Sequence, residues 1–110
     1  MKMTSSPPAD FSFSVVILMP IFLARPGQEA NLETALHELQ TLSRTDDGCI
    51  DYSVYVDLGD AGRFVLHEEW VDQEALDAHN LKAHVIDFVA QTDSLLKEPF
   101  TVTRMRAIGE

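Results

Sequence analysis

The segment from Arg63 to Trp70 places a carboxylate among apolar side chains. Side chains alternate along a strand, so Glu68 shares one face with Phe64, Leu66 and Trp70. A carboxylate on such a face is costly unless it is paired or protonated, and desolvation raises its pKa towards values that suit a general base. The alternative is structural: Glu68 pairs with a donor on a helix or helps to hold a dimer together.

A histidine lies on the apolar side of the helix predicted to follow this strand. His79 comes three and four residues after Leu76 and Ala75, which puts it on the helix face that meets the sheet. It could therefore approach Glu68, and a Glu–His pair in an apolar cleft can move a proton on or off a substrate hydroxyl near neutral pH. A core histidine with satisfied hydrogen bonds is the alternative.

Three further residues are candidates for the wall of such a cleft. Trp70 offers an aromatic plane beside the carboxylate, which suits a flat aromatic ligand, with plain core packing as the alternative. Tyr52 belongs to the apolar set of an alternating strand, so its hydroxyl needs a partner and could line the same cleft. Leu66 shares the face of Glu68 and is the third candidate.

The sequence carries few signs of a metal or an organic cofactor. His84 lies five residues beyond His79, a spacing that does not align two ligands on one regular helix turn. Metal binding by His79, His84 and Glu68 would need a kink, and we expect no metal there. The single cysteine excludes multi-cysteine zinc patterns and fits a reducing cytoplasm. Without a glycine-rich phosphate loop or a dinucleotide fingerprint, we expect no flavin or nicotinamide.

The elements that must position these residues follow from hydrophobic periodicity and turn residues. In chain order we predict a strand at Ser14 to Ala24, an amphipathic helix through Leu32 to Leu42, a strand at Cys49 to Asp57, a strand at Arg63 to Trp70, two helical pieces capped by Asp72 with a kink near Asn80-Leu81, and a strand at Phe100 to Ile108. This β-α-β-β-α-β order predicts a ferredoxin-like α+β fold, with a four-stranded antiparallel sheet and helices on one face.

The domain organisation is simple. Residues 1–10 are rich in Ser and Pro and predict a flexible N-terminal arm, and residues 11–110 predict a single domain. The apolar run from Phe11 to Ala24 could suggest a signal peptide, but Pro20 interrupts it and Arg25-Pro26 stands where a small-residue cleavage site would be. It is also shorter than the roughly 20 residues of a membrane-spanning helix.

The face of the sheet away from the helices is expected to be partly apolar. We place Val16, Leu18 and Phe22 of the first strand on this face, together with Val65. One domain of this size has no further element to cover it, so we predict a homodimer packed sheet to sheet.

The charge balance excludes some partners. The 110 residues include 18 acidic and 8 basic ones, for a net charge of −10, and the few basic residues are dispersed. Binding to nucleic acid or to an anionic membrane depends on clustered Lys and Arg, so we expect neither partner. A chain of this length can sustain a core without metal or disulfide bonds.

Over about Val15 to Ile108 the sequence resembles the antibiotic biosynthesis monooxygenase family, whose members are dimeric α+β barrel proteins. The resemblance is carried by Ala24-Arg25-Pro26-Gly27, Asp47-Gly48-Cys49 with Tyr52, the segment Arg63 to Trp70, and Ala75-Leu76-Asp77-Ala78-His79 with His84 five residues on. It implies a ferredoxin-like fold, a dimer with back-to-back sheets, and a pocket between sheet and helices in each subunit. Members oxidise phenolic or quinol substrates with molecular oxygen and often need no metal, flavin or haem.

The resemblance also implies roles for individual residues. Glu68, Trp70 and His79 match the family's strand and helix motifs and so take pocket positions. The haem-degrading branch uses an asparagine on the first strand, and Met19 to Phe22 offers no equivalent, which disfavours haem cleavage.

We therefore expect a cytoplasmic, cofactor-independent monooxygenase of a small phenolic, quinol or polyketide-type aromatic, with molecular oxygen as co-substrate. Glu68 or His79 would be the base, and Trp70, Tyr52, His84 and Leu66 would contact the substrate. The alternative is a non-catalytic dimeric module that binds a small hydrophobic ligand, in which Glu68 and His79 are structural.

Overall fold

The computed structural model describes residues 15–109, so the arm predicted over 1–10 lies outside the described residues. The elements are β1 (Val16–Leu23), α1 (Glu29–Ser43), β2 (Cys49–Asp57), β3 (Asp60–Trp70), α2 (Gln73–Asn80), α3 (Ala83–Leu95) and β4 (Thr101–Met105). The strands form one antiparallel sheet in the order β2-β3-β1-β4. This confirms the predicted ferredoxin-like α+β fold, with the second helical region divided into two helices. β4 is shorter at both ends than predicted.

The prediction of which β1 face meets the helices was wrong. Leu18 pairs with Glu68 and Phe22 with Phe64, so these β1 residues lie on the helix side of the sheet. Val16 and Phe22 are 1% and 2% exposed and belong to the hydrophobic core. Both alternating sets of β1 are apolar, so the sequence pattern could not decide between the faces, and the register with β3 does.

The face away from the helices carries the other apolar set of β1. Ile21 pairs with Val65 there, and Ile17 and Met19 lie on the same side. All four side chains are half-buried. Of the residues predicted for this face, only Val65 is found on it.

A bulge at the start of β2 adjusts the alternation predicted for that strand. Cys49 pairs with Trp70 and Asp51 with Glu69, which leaves Ile50 as the additional residue. Ile50 is consequently exposed, although strict alternation would place it on the same face as Tyr52. Beyond the bulge the prediction is confirmed, because Tyr52 pairs with Glu68 on the helix side.

The second helical region begins at its predicted capping residue and is divided in two. The Asp72 side chain accepts a hydrogen bond from the Ala75 amide and caps α2. α2 ends at Asn80 and α3 begins at Ala83, so the predicted kink is a complete break. Within residues 15–109, no helix is long and apolar enough to cross a membrane.

Candidate active site

A cavity of about 290 Å³ lies between the sheet and the helices. The sheet register places Glu68 in the middle of its floor, with Leu18 of β1 on one side and Tyr52 of β2 on the other. The polar residues of the wall are Tyr52, Glu68, His79 and Asn80; the apolar ones are Leu18, Pro20, Phe22, Leu39, Leu66, Val85, Phe88, Val89, Phe100 and Val102. The cavity is therefore a mainly apolar site with few polar groups, as is typical of small-molecule sites.

Glu68 is buried and has one strong hydrogen bond. Its Oε1 accepts from Nε1 of Trp70 at 2.8 Å, because the two side chains lie two residues apart on the same strand face. Burial raises the pKa of the Glu68 carboxyl, and the Trp70 bond and the nearby His67 offset part of that rise. Within residues 15–109, no lysine or arginine forms a salt bridge with Glu68. The site thus holds a carboxyl group with raised proton affinity.

His79 is buried on the opposite wall and is held by a carboxylate. Its Nδ1 lies 2.8 Å from Oδ2 of Asp46, and its ring packs on Trp70 with 4.4 Å between ring centroids. Burial lowers the pKa of His79, although Asp46 acts in the other direction. An ionised carboxylate can only accept a hydrogen bond, so Nδ1 of a neutral His79 carries the proton. Nε2 is then left with a free lone pair, as a general base requires.

Asp46 binds a second histidine through the same oxygen. Nε2 of His84 lies 2.8 Å from Oδ2 of Asp46. The ligand atoms of Asp46, His79 and His84 all lie within 4.8 Å of one another, so these three residues could hold a metal ion. Glu68, considered from the sequence as the third ligand beside these two histidines, is not part of this cluster. Asp46 is 33 and 38 residues from the two histidines, and no sequence pattern predicted it as a ligand.

The structure brings four of the six predicted site residues to the cavity: Glu68, His79, Tyr52 and Leu66. Trp70 does not line it, because this fully buried side chain lies behind the wall and contacts both Glu68 and His79. His84 lines a separate groove between α1 and α3. His79 and Glu68 line the same cavity and both contact Trp70. They do not hydrogen-bond to each other, because the hydrogen-bond partner of His79 is Asp46.

The family model described as antibiotic biosynthesis monooxygenase matches residues 15–91 of the sequence. The chain belongs to the antibiotic biosynthesis monooxygenase family. The matched range contains Asp46, Glu68, His79 and His84, so both candidate bases of the cavity and the histidine cluster lie within the family domain.

Individual relatives match nearly nine-tenths of the chain. A protein of Mycobacterium tuberculosis named "Putative monooxygenase Rv0793" is 33% identical over 97 residues, which cover 88% of this chain and 95% of the relative. The solved structure of Rv0793 has a TM-score of 0.81, covering 88% of this chain and 98% of that one. PA3566 from Pseudomonas aeruginosa is 26% identical with a TM-score of 0.83, covering 89% and 98%. These family relationships support a monooxygenase and leave the substrate open.

Proposed function

We propose that this protein is a cofactor-independent monooxygenase that oxidises a small phenolic, quinol or polyketide-type aromatic with molecular oxygen. The observation that carries the proposal is the pair of buried ionisable groups, Glu68 and His79, in the wall of one apolar cavity. Burial acts on the two groups in opposite directions, raising the pKa of Glu68 and lowering that of His79. A raised pKa makes the ionised Glu68 carboxylate a stronger base, and a lowered pKa favours the neutral form of His79, which can accept a proton from a bound substrate.

The dimensions of the cavity favour a small aromatic substrate. Its volume of about 290 Å³ is at the lower end of the roughly 300–1,000 Å³ that ligand pockets span. Aromatic and aliphatic side chains form most of its wall, so a flat apolar ring would be desolvated on binding. Tyr52 adds its aromatic ring to this wall next to Glu68, since the two residues are paired across β2 and β3.

The proposed chemistry needs a base and a dry cavity. The base removes a proton from an electron-rich aromatic, and the resulting anion reduces oxygen by one-electron steps to give a substrate hydroperoxide. Loss of water from the hydroperoxide leaves a carbonyl, so a ring CH₂ group and O₂ become C=O and H₂O. One oxygen atom enters the product and the other leaves as water. The protein binds, deprotonates and shields the anion.

Two bases are possible, and the structure gives each a different support. Asp46 fixes the ring of His79 and its tautomer, which leaves Nε2 for the substrate proton. Glu68 is oriented by Trp70, and its raised pKa makes it a stronger base once ionised. Variants of the two residues distinguish these roles.

We further propose that the protein acts as a cytoplasmic homodimer joined through the outer sheet faces. The half-buried side chains of Ile17, Met19, Ile21 and Val65 support this arrangement, because a second sheet would cover them. Sedimentation of wild-type protein and of Val65→Lys tests it, and a wild-type monomer at micromolar concentration would contradict it. Neither nucleic acid nor membrane is part of the proposal.

Oxygen uptake tests the proposed reaction. Metal-stripped protein is incubated with a panel of quinols and anthrones in the presence of a chelator, and uptake is measured against autoxidation without protein. We expect saturable uptake that Glu68→Gln or His79→Gln lowers by about 10²–10⁴-fold, the usual contribution of a general base. Glu69→Gln is the matched control, since this neighbour lies on the opposite sheet face.

Two results would contradict the proposed reaction or its catalytic residues. A folded protein that binds an aromatic probe but consumes no oxygen with any member of the panel would contradict the oxygenase proposal and favour the non-catalytic binding module. Equal uptake by wild type and both variants would remove Glu68 and His79 from the catalytic role.

A further inference from the structure

We infer that Asp46, His79 and His84 form a binding site for one divalent transition-metal ion. Two imidazole nitrogens, Nδ1 of His79 and Nε2 of His84, each lie 2.8 Å from the same carboxylate oxygen of Asp46. The three potential ligand atoms lie within 4.8 Å of one another. The inference does not rest on the proposed oxidation, because its readout is metal binding alone.

The ligand set favours particular metals. Imidazole ligands suit Zn²⁺, Ni²⁺, Co²⁺ and Fe²⁺, whereas Mg²⁺ and Ca²⁺ prefer sites built of oxygen ligands. Zinc bonds to nitrogen and oxygen of about 2.0–2.2 Å place ligand atoms of a tetrahedral site roughly 3.3 Å apart. The present 2.8 Å separations would widen by about half an ångström, which rotations of the two rings can supply. Water would complete the coordination.

The fold holds the three ligands on separate elements and away from solvent. Asp46 lies in the turn between α1 and β2, His79 near the end of α2, and His84 near the start of α3. Their side chains are 7%, 2% and 15% exposed, respectively. A metal ion would therefore connect three segments that otherwise meet only through hydrogen bonds and packing.

The electrostatics of the cluster also favour a cation. The nearly buried Asp46 carboxylate forms no salt bridge with a lysine or arginine of the described part of the chain, since its charged-group contacts are the two histidines. A buried carboxylate is costly unless it is paired, and a divalent ion would pair with it directly. Two acidic residues, Glu38 and Asp87, line the groove into which His84 is partly exposed. They would attract cations to this entrance.

Metal binding would alter the cavity wall. Coordination through Nδ1 places the remaining proton of a neutral His79 on Nε2, so the metal-bound form would present a donor to the cavity. Glu68 would then be the remaining candidate base.

Co²⁺ and Zn²⁺ titrations test the site. Chelator-treated full-length protein without a polyhistidine tag is titrated with Co²⁺ and followed by visible absorption, and with Zn²⁺ by calorimetry. We expect one ion per chain, visible Co²⁺ bands typical of nitrogen and oxygen ligation, and a higher melting temperature with Zn²⁺. Asp46→Asn and His84→Gln should each weaken Zn²⁺ binding by at least about tenfold, because each removes a direct ligand.

Matched controls separate this site from ordinary surface binding. His37→Gln alters an exposed histidine of α1, and His67→Gln alters the other His–Asp pair, that of His67 and Asp51 on the outer sheet face. Both variants should bind like wild type. Circular dichroism of each variant confirms folding, and His84→Gln is the decisive variant if Asp46→Asn unfolds.

Three outcomes would overturn the inference. They are no Zn²⁺ binding at millimolar concentration, wild-type affinity in folded His84→Gln, and loss of the bound ion in His67→Gln or His37→Gln. None of these results depends on oxygenase activity, so the two proposals can fail separately.

Discussion

Replacing Trp70 by Phe should destabilise the protein more at neutral than at acidic pH. The indole Nε1 donates the 2.8 Å hydrogen bond to the buried carboxylate of Glu68, and phenylalanine removes that donor while keeping an aromatic ring. The Trp70 bond holds the pKa of Glu68 below the value that burial alone would give. Its removal should raise that pKa further, so the ionised form becomes more costly in the folded protein.

The magnitude has two parts. A hydrogen bond to a charged group contributes about 1.5–3 kcal/mol, and this part applies only where Glu68 is ionised. The packing lost when the indole shrinks to a phenyl ring adds roughly 1–2 kcal/mol at any pH, on the scale of modest core truncations. We therefore expect the loss to be larger near pH 7.5 than near pH 4.5, because less of the carboxyl is ionised at the acidic pH, and to reach about 2.5–5 kcal/mol where Glu68 is ionised.

Urea unfolding at fixed protein concentration and at both pH values measures the effect. Phe64→Leu is the control, because Phe64 is equally buried on the same strand face and has no polar atom. Its cost should not change with pH. Trp70→Phe in a Glu68→Gln background should also lose the pH dependence, since glutamine has no charge to solvate. The reasoning is refuted if Trp70→Phe costs the same at both pH values, or costs more at the acidic one.

Three further substitutions test other parts of the structure by denaturant unfolding. Gly48→Ala should cost about 2 kcal/mol or more, because φ is +81° and the new methyl group would lie 2.5 Å from a side-chain carbon of α2; Gly27→Ala, also at positive φ but in open space, should cost less. Leu36→Ala should cost about 2–5 kcal/mol, whereas Leu42→Ala, at 40% exposure on the same helix, should cost well under half of that; equal losses would contradict the assigned helix face. Glu68→Gln should gain stability relative to wild type as the pH rises above the usual glutamate pKa. Burial raises the folded-state pKa of Glu68, so its ionisation favours unfolding of the wild type. A relative loss of stability with rising pH would show that the carboxylate is stabilised in the folded protein.

The element order could be predicted from the sequence because each element carries a local signal. Helical spacing marked α1, alternation marked most of β2, and Asp72 marked the start of α2. The orientation of β1 could not be predicted in the same way. Its two alternating sets are both apolar, and only the pairing of Leu18 with Glu68 shows which set faces the helices.

The candidate site was likewise predicted only where a local sequence pattern places the residue. Strand alternation predicted the positions of Glu68, Tyr52 and Leu66, because it places these side chains on the apolar faces of their strands. The pairing of β2 with β3 then brings them together in the cavity floor. The role of Asp46 could not be predicted, because its two histidine partners lie 33 and 38 residues away in the sequence and are brought to it only by the ends of helices. A turn aspartate is also common for purely local reasons, which hides one that binds elsewhere.

The placement of Trp70 explains how the cavity can hold two candidate bases. A direct hydrogen bond between Glu68 and His79 would favour a shared proton or an ion pair, and each group would then be less able to act on a substrate. Instead the indole donates to Glu68 and packs against the ring of His79, which bonds to Asp46. Each candidate base thus has its own partner outside the cavity. Trp70, expected from the sequence to be a ligand wall, lies behind the cavity wall, and its contacts with both side chains would keep the two groups oriented and separate.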